Sequence, residues 1–490
     1  MVVMTMGESY FAVFDIGTTN VKTMIFDEKG SIVGKTIREL PIITPRPEFL
    51  EQDAEKIWEI SASTMNDTIK TSKITSSDIA AVTICTQRGT VVPVDKDGKP
   101  LHNAITWMDT RTSESIEKLR DKIQHRLIAM RILWFKDERP DIYNKTFKFE
   151  TIDAYFYRKL AGNCVLDFAN AAYGPFDVIN LKYSEELSEE FGAPIDKLPE
   201  AKPAGEIIGE ITSESENLTG LKSGTPVVCG SGDQQCSSVA LGLLEANKVK
   251  ITTGTGTFVD ACISKPLFDF YQPVMKIFCL PHALKNFWLI EGVLPTTGAI
   301  YRWLRDLFFK KEANLKTGEV DPYKIFDAEA ERVNPGSDGL ILIPLFSYSM
   351  GIFRGLSLKH GRGHLARAIL ESNGFIARFF LKLLEMLEVK PEEVGADGGG
   401  MKSKLWRRIL ADIIGKKLIV PVNVEDTTAL GAAVIASAAT KIHGSLREAV
   451  ESMVPIHEIV EPDSRNLKIY DEIYPKFEDL LLSVASELSI

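Results

Sequence analysis

The sequence predicts an α/β fold built twice in tandem, and three observations carry that expectation. At 490 residues the chain exceeds what one hydrophobic core usually serves. A strand, a Gly-Thr turn and a returning strand open the chain, and the same unit recurs in its second half. Buried apolar runs also end on acidic or glycine-rich segments, where α/β folds place their chemistry. A boundary near Gly242 divides the chain into residues 1–242 and 243–490.

Tyr10 to Phe14 is an apolar run that stops at Asp15. Gly17-Thr18-Thr19 turns, Val21 to Phe26 runs back, Glu28-Lys29-Gly30 turns again and Ser31 to Ile37 follows. Past a stretch broken by Pro41, Pro45 and Pro47, a helix is expected from about Asp53, with Ile57, Trp58, Ile60 and Met65 on one side. Ala80 to Cys85 and Thr90 to Val94 read as a second strand pair framing Gln87-Arg88, with Asp95-Lys96-Asp97-Gly98 as its turn. Residues 110–220 are more helical and polar and say less. Val227 to Gly230 reads as another buried strand. Then Lys248 to Thr253 leads into Gly254-Thr255-Gly256-Thr257, and Phe258 to Ile263 returns, repeating the opening unit. An amphipathic helix is expected over Phe375 to Leu387. Another follows Ser403, with Leu405, Trp406, Ile409 and Leu410 on its apolar side.

Composition narrows the function. Hydrophobic residues at 44% and charged residues at 25% are the mix of an ordinary folded soluble protein. A net charge of −10 argues against nucleic acid as the main partner, because phosphate backbones reward clustered Lys and Arg. The six cysteines lack CxxC or Cys/His spacing and read as buried reduced thiols, which fits a cytoplasmic location. Met1 to Ser9 has no basic segment of the signal-peptide kind, and no apolar run reaches the ~18 residues of a spanning helix.

Six segments carry candidate chemistry. In Asp15-Ile16-Gly17-Thr18-Thr19-Asn20-Val21-Lys22, glycine permits backbone approach to a phosphate and threonine adds hydroxyls. Lys22 offers charge and Asp15 a carboxylate of the kind that holds Mg²⁺; the plain alternative is a hairpin turn capped by Asp15. Gly254 to Thr257 reads the same way, and a single nucleotide pinched between two domains accounts for both turns. Asp233, after the buried strand, is a candidate base, or else the N-cap of the next helix. Gln87-Arg88 and Trp107-Met108-Asp109 offer hydrogen bonds and a flat apolar face to a polyhydroxy ligand. Alternatively, Arg88 pairs with Asp109 or Asp15 and Trp107 is core. Gly395 to Ser403 is a glycine-rich approach to a helix start, neither Walker A nor GxGxxG, with Ser403 as its N-cap in the plain reading. The small residues of Asp426 to Ala433 read as a closely packed structural helix.

Taken together, Phe14–Asp27, Gln87–Thr112, Gly232–Gly242, Ile251–Phe258, Glu291–Asp306, Phe353–Glu371 and Gly395–Ala433 resemble, in order, the FGGY family of carbohydrate kinases. The resemblance implies two actin-like (ribonuclease H-like) domains with a nucleotide cleft between them. Residues 1–242 would bind the sugar and carry the base, and residues 243–490 would bind ATP. It implies Asp233 as general base, and Asp15 with Asp233 on Mg²⁺. Thr18, Thr19, Lys22, Gly254 and Thr255 would meet the phosphates, and Gly298, Arg302, Gly399, Gly400 and Ser403 the rest of the nucleotide. Arg88, Trp107, Asp233, Gln234 and Phe258 would meet the acceptor.

The implied reaction is ATP-dependent phosphorylation of a small ketose or polyol such as xylulose, ribulose, erythritol or glycerol. Gly89 stands where glycerol kinases carry Glu, and Gln87-Arg88 where xylulokinases carry Met-His. The segment from Arg111 to Leu133 is also short. A nucleotide-switched, chaperone-like binder or a sugar sensor on the same fold is the alternative. Neither nucleic acid nor membrane is an expected partner, and a homodimer is a possible assembly.

Overall fold

The computed structural model describes residues 9–112, 126–267, 276–294, 296–313, 321–346 and 351–487. The readings of Met1 to Glu8 and of most of the stretch between Arg111 and Leu133 lie outside the described residues. The chain forms two compact units. One comprises Met1–Leu244, Leu280–Trp288 and Thr428–Pro455, the other Glu245–Cys279, Leu289–Thr427 and Ile456–Ile490.

The first unit is built on a six-stranded sheet. Its strands are β1 (Tyr10–Ile16), β2 (Asn20–Phe26), β3 (Ile32–Glu39), β4 (Ile79–Thr86), β5 (Ile207–Glu210) and β6 (Pro226–Gly232), in the order β5-β6-β4-β1-β2-β3. β4 runs parallel to both β1 and β6, while β2, β3 and β5 are antiparallel to their neighbours. β1 is buried on both faces, which explains its unbroken apolar run. Ala12, Phe14 and Ile16 point to one core, and Phe11 and Val13 to another.

Helix α1 (Ala54–Ser72) covers the first face with Ile57, Trp58 and Met65. Asp53 caps it by accepting from the Lys56 amide at 3.1 Å, and Lys73 ends it in the left-handed conformation. The second face meets α4 (Asp233–Ala240) and α8 (Thr427–Ala439). Small residues let those two helices approach closely: a Cβ on Gly431 would lie 1.8 Å from the Cys236 carbonyl oxygen.

One strand pairing differs from expectation. Ile79–Thr86 joins the central sheet, whereas Val91–Val94 enters a separate five-stranded sheet beside Lys148–Thr151. With β1 and β6 paired along its two edges, β4 has no edge left for a tight return. Asp95 to Gly98 therefore turns Val94 back toward Pro100 instead.

The second unit carries a seven-stranded sheet. Its strands are β7 (Val249–Thr253), β8 (Thr257–Ile263), β9 (Lys276–Pro281), β10 (Trp288–Leu294), β11 (Glu393–Asp397), β12 (Lys417–Pro421) and β13 (Ile456–Val460), ordered β9-β10-β8-β7-β11-β12-β13. β7 pairs antiparallel with β8 and parallel with β11, β11 is parallel to β12, and β12 is antiparallel to β13. Those are the relations of β1 to β2 and β4, β4 to β6, and β6 to β5. The duplication seen in two turns thus extends to the sheets.

Helices α5 (Thr297–Ala313), α6 (Arg362–Met386) and α7 (Lys404–Ile414) complete this unit. α6 starts well before the expected Phe375. Its first turns bury charge among apolar Ala366, Ile369 and Leu370: Arg367 Nε lies 2.7 Å from Glu371 Oε1, which also accepts from Tyr470 Oη at 2.9 Å. All six cysteines are free thiols. Among the described residues no helix is long and apolar enough to cross a membrane.

Beneath the first sheet lies a buried acid pair on α2 (Ile152–Ala161) and ahead of α3 (Phe168–Ala171). Burial, then the neighbouring Asp167, pushes Asp153 up to about 7. The folded state therefore binds a proton that the unfolded chain releases at lower pH. Stability from this pair falls as pH rises from about 4 to about 7 and levels off above that. Urea midpoints of the parent are expected to drop between about pH 5 and about pH 8, and Asp153→Asn is expected to flatten that drop.

Candidate active site

β1, β4 and β6 end side by side, and the candidate residues of the first unit gather at those ends. Asp15 and Ser231 are both in register with Cys85, on opposite sides of β4. Two strand spacings place them about 10 Å apart, with Asp233 just beyond Ser231. Asp15 is 8% exposed, and its Oδ2 lies 3.5 Å from the Nζ of Lys22, its cross-strand neighbour on β2.

Asp233 opens α4, whose N-cap is Gly232. Its Oδ1 accepts from the Gln234 amide at 2.8 Å and lies 3.2 Å from Arg88 Nε. The Asp233 side chain is 40% exposed and that of Arg88 only 8%, so the carboxylate is the reachable member of the pair. Arg88 reaches it along the Gly232 backbone, where a Cβ would meet its Cδ at 2.5 Å. Asp109, one of the partners considered from sequence, is engaged elsewhere. Its Oδ2 lies 2.8 Å from Arg111 Nη2 and accepts from the Leu50 amide at 2.7 Å. Gln234 is buried beside Asp233.

The first Gly-Thr turn is braced by a ring of hydrogen bonds. Thr18 Oγ1 donates to Gln87 Oε1 at 2.9 Å, Gln87 Nε2 to Gln52 Oε1 at 3.1 Å, and Gln52 Nε2 to the Thr18 carbonyl at 2.8 Å. Trp107 Nε1 donates to Thr18 Oγ1 at 2.8 Å, and the indole is 41% exposed rather than core. The indole is thereby tied to the turn. Thr19 is exposed beside them. Gln52 escaped the sequence reading because its proline-broken surroundings carry no periodicity, and Tyr173, 6.0 Å from the Arg88 guanidinium carbon, lay in the stretch that said least. Trp107→Phe removes one neutral hydrogen bond. Because that bond braces Thr18 as well as the indole, the acceptor KM and the ATP KM are both expected to rise ~3–10-fold in steady-state assays.

In the second unit the glycines are spent on close approach. A Cβ on Gly298, at the start of α5, would stand 1.7 Å from the Gly254 carbonyl oxygen, and the Ala299 amide donates to the Thr255 carbonyl at 2.9 Å. On Gly398 and Gly400 a Cβ would strike Thr253 at 2.4 and 2.6 Å. Two glycine-rich segments thus converge on one turn. Gly254 itself faces space in which a Cβ meets nothing within 4 Å, and on Gly399 it would meet only Glu425 Oε1, at 4.0 Å. Thr255 and Gly399 are exposed, so the backbone of both segments is open to approach.

Arg302 is exposed on α5, and Phe258 is half-buried on β8 opposite Thr252. Ser403 caps α7, its Oγ accepting from the Trp406 amide at 3.0 Å. Under the turn, Lys250 Nζ lies 2.6 Å from Asp260 Oδ2, both side chains fully buried. Burial alone would pull this lysine down. Asp260, with Asp397 and Glu291, carries it above the ordinary value instead.

Two duplicated α/β units, each with a mixed sheet whose central hairpin turns on Gly-Thr, and a reachable aspartate in the first fit the class of actin-like kinases. Residues 10–240 match the N-terminal domain of the FGGY family of carbohydrate kinases and residues 249–440 match its C-terminal domain, and the chain belongs to that family.

It is 32% identical to a glycerol kinase of Thermococcus gammatolerans over 473 residues, 93% of this chain and 94% of the relative. It is 29% identical to a gluconokinase of Bacillus subtilis, covering 96% and 95% of the two chains. In fold it is similar to a gluconate kinase from Lactobacillus acidophilus, with a TM-score of 0.87, 21% identity and 99% of each chain covered. The protein is an ATP-dependent kinase acting on a hydroxyl of a small sugar or polyol, and the switch and sensor readings give way to this one.

Proposed function

We propose that the acceptor is a small neutral polyol or ketose and that Asp233 receives the proton of the hydroxyl that is phosphorylated. The observation that supports this most is the Asp233 carboxylate itself. It is exposed at a strand end, anchored by one oxygen at 3.2 Å from Arg88, and set two strands from Asp15. Mg·ATP, when bound, would supply an electrophilic γ-phosphoryl group, the negative charge on its oxygens partly neutralised by the metal.

The chain's own groups position and exchange the proton. An ordinary carboxylate suffices as base because the transition state is loose and the proton leaves late. Arg88 turns the carboxylate, and Trp107 offers an exposed ring to the C–H side of the acceptor. Asp15 is the carboxylate suited to Mg²⁺, which typically takes one or two carboxylates and keeps several waters. Thr18, Thr19, Lys22, Gly254 and Thr255 serve the phosphates in this reading. Gly298, Arg302, Gly399, Gly400 and Ser403 serve the remainder of the nucleotide, and Phe258 and Gln234 the acceptor. Residues 1–242 carry the base and most of the acceptor groups, and residues 243–490 the groups for the nucleotide beyond its phosphates. The compartment this reading assigns is the cytoplasm, where ATP is abundant and thiols stay reduced.

A coupled ADP assay across three- to six-carbon polyols, ketoses and aldonates tests it. Strong stimulation by a neutral polyol or ketose is expected. Stimulation by aldonates alone would overturn the acceptor class, and stimulation by none would overturn the reading as a whole.

A further inference from the structure

Arg88 and Asp233 sit on segments that the sheet alone does not hold. β6 leaves its ladder between Val228 and Ser231. Gly230 lies so close to Ile84 there that a Cβ would stand 1.8 Å from its carbonyl oxygen. Two buried side chains take over at that point. Tyr157 Oη accepts from the Gly230 amide at 2.8 Å, and Ser231 Oγ donates to Asp167 Oδ2 at 2.6 Å.

Asp167, only 2% exposed, caps α3. Its Oδ1 accepts from the Asn170 amide at 3.1 Å and from Asn170 Nδ2 at 2.9 Å. That leaves Asn170 Oδ1 to accept from the Gly89 amide at 3.3 Å. One carboxylate therefore holds the strand just ahead of Asp233 and, through one amide, the residue that follows Arg88. Its own amide donates to Asp153 Oδ2 at 3.2 Å. Two adjacent buried carboxyl groups are costly for a fold that needed only stability.

We propose that Asp167, with Ser231 and Asn170 as its two arms, is a positioning residue that sets the separation and orientation of the Arg88 guanidinium and the Asp233 carboxylate. This rests on the reading of Asp233 as the base. Buried groups that lock the residues in contact with substrate are how a site holds its geometry, and misplacement by an ångström is costly.

The test compares Ser231→Ala and Asn170→Ala, one per arm, with Ser61→Ala as control. Ser61 is equally buried, but its hydroxyl serves only the Ile57 carbonyl, at 2.7 Å. Each arm variant is expected to lower kcat ~10–100-fold with ATP KM within about twofold, while the control keeps parental kcat. Crystal structures of the arm variants are expected to show the Arg88–Asp233 contact lengthened beyond 3.2 Å. Folded arm variants with kcat within about twofold of the parent, or lowered kcat with the contact unchanged, would overturn the proposal. If the parent phosphorylates no acceptor, the functional reading fails and the crystal structures alone decide: an unchanged contact in both variants overturns the clamp, and a broken one supports it.

Discussion

Asp233→Asn is expected to bind Mg·ATP almost as the parent does and to turn over ~10²–10⁴-fold more slowly, the usual worth of a positioned general base. The substitution keeps shape and leaves an oxygen to accept from the Gln234 amide, now at 2.8 Å. What it removes is the basic lone pair and the charge facing Arg88. Because the Asp233 side chain is 40% exposed, the lost ion pair is solvent-screened and the fold is expected to survive. Steady-state kinetics with a matched nucleotide-binding titration separate the two effects. A variant with near-parental turnover would remove Asp233 from the chemistry.

Lys250→Met is expected to destabilise the second unit by roughly 3–5 kcal/mol. It strips the cation from Asp260, 2.6 Å away in a site with no exposed side-chain surface. It also removes the donor to Thr252 Oγ1 at 2.8 Å. That threonine donates to Asp397 Oδ1 at 2.5 Å, and Thr427 Oγ1 to Asp397 Oδ2 at 2.5 Å. The segment from Gly398 to Ser403 follows directly, so weaker nucleotide binding is expected alongside the lowered urea midpoint. Lys250→Met combined with Asp260→Leu is expected to recover most of the stability, since apolar replacement of a buried pair is often neutral. A single variant as stable as the parent would contradict this reading of the pair.

Much of this was legible in the sequence because it is periodic or punctuated. β1, β2 and the Gly-Thr turns announce themselves by apolar runs broken at Asp15 and Gly17, and Asp53 marks its helix as a capping residue should. The pairing of β4 was not legible, because an apolar run states that a strand is buried without naming its neighbour. The start of α6 was hidden by Arg367 and Glu371, charges that satisfy each other inside the core. The same reason hides the supporting groups of the site. Gln52, Asp167 and Asn170 matter through contacts made across long sequence separations, and nothing in their local pattern records them. Arg88 shows the limit most clearly: its charge demanded a partner, but only the folded chain brings Asp233 to it and gives Asp109 to Arg111.

The account depends on both Gly-Thr turns answering to one nucleotide. Amide hydrogen exchange at Gly17–Thr19 and at Gly254–Thr257, followed through a Mg·ATP titration, tests that most directly. Protection of both turns at a single midpoint is the predicted result. Protection of one turn alone, or of the two at separate midpoints, would contradict it.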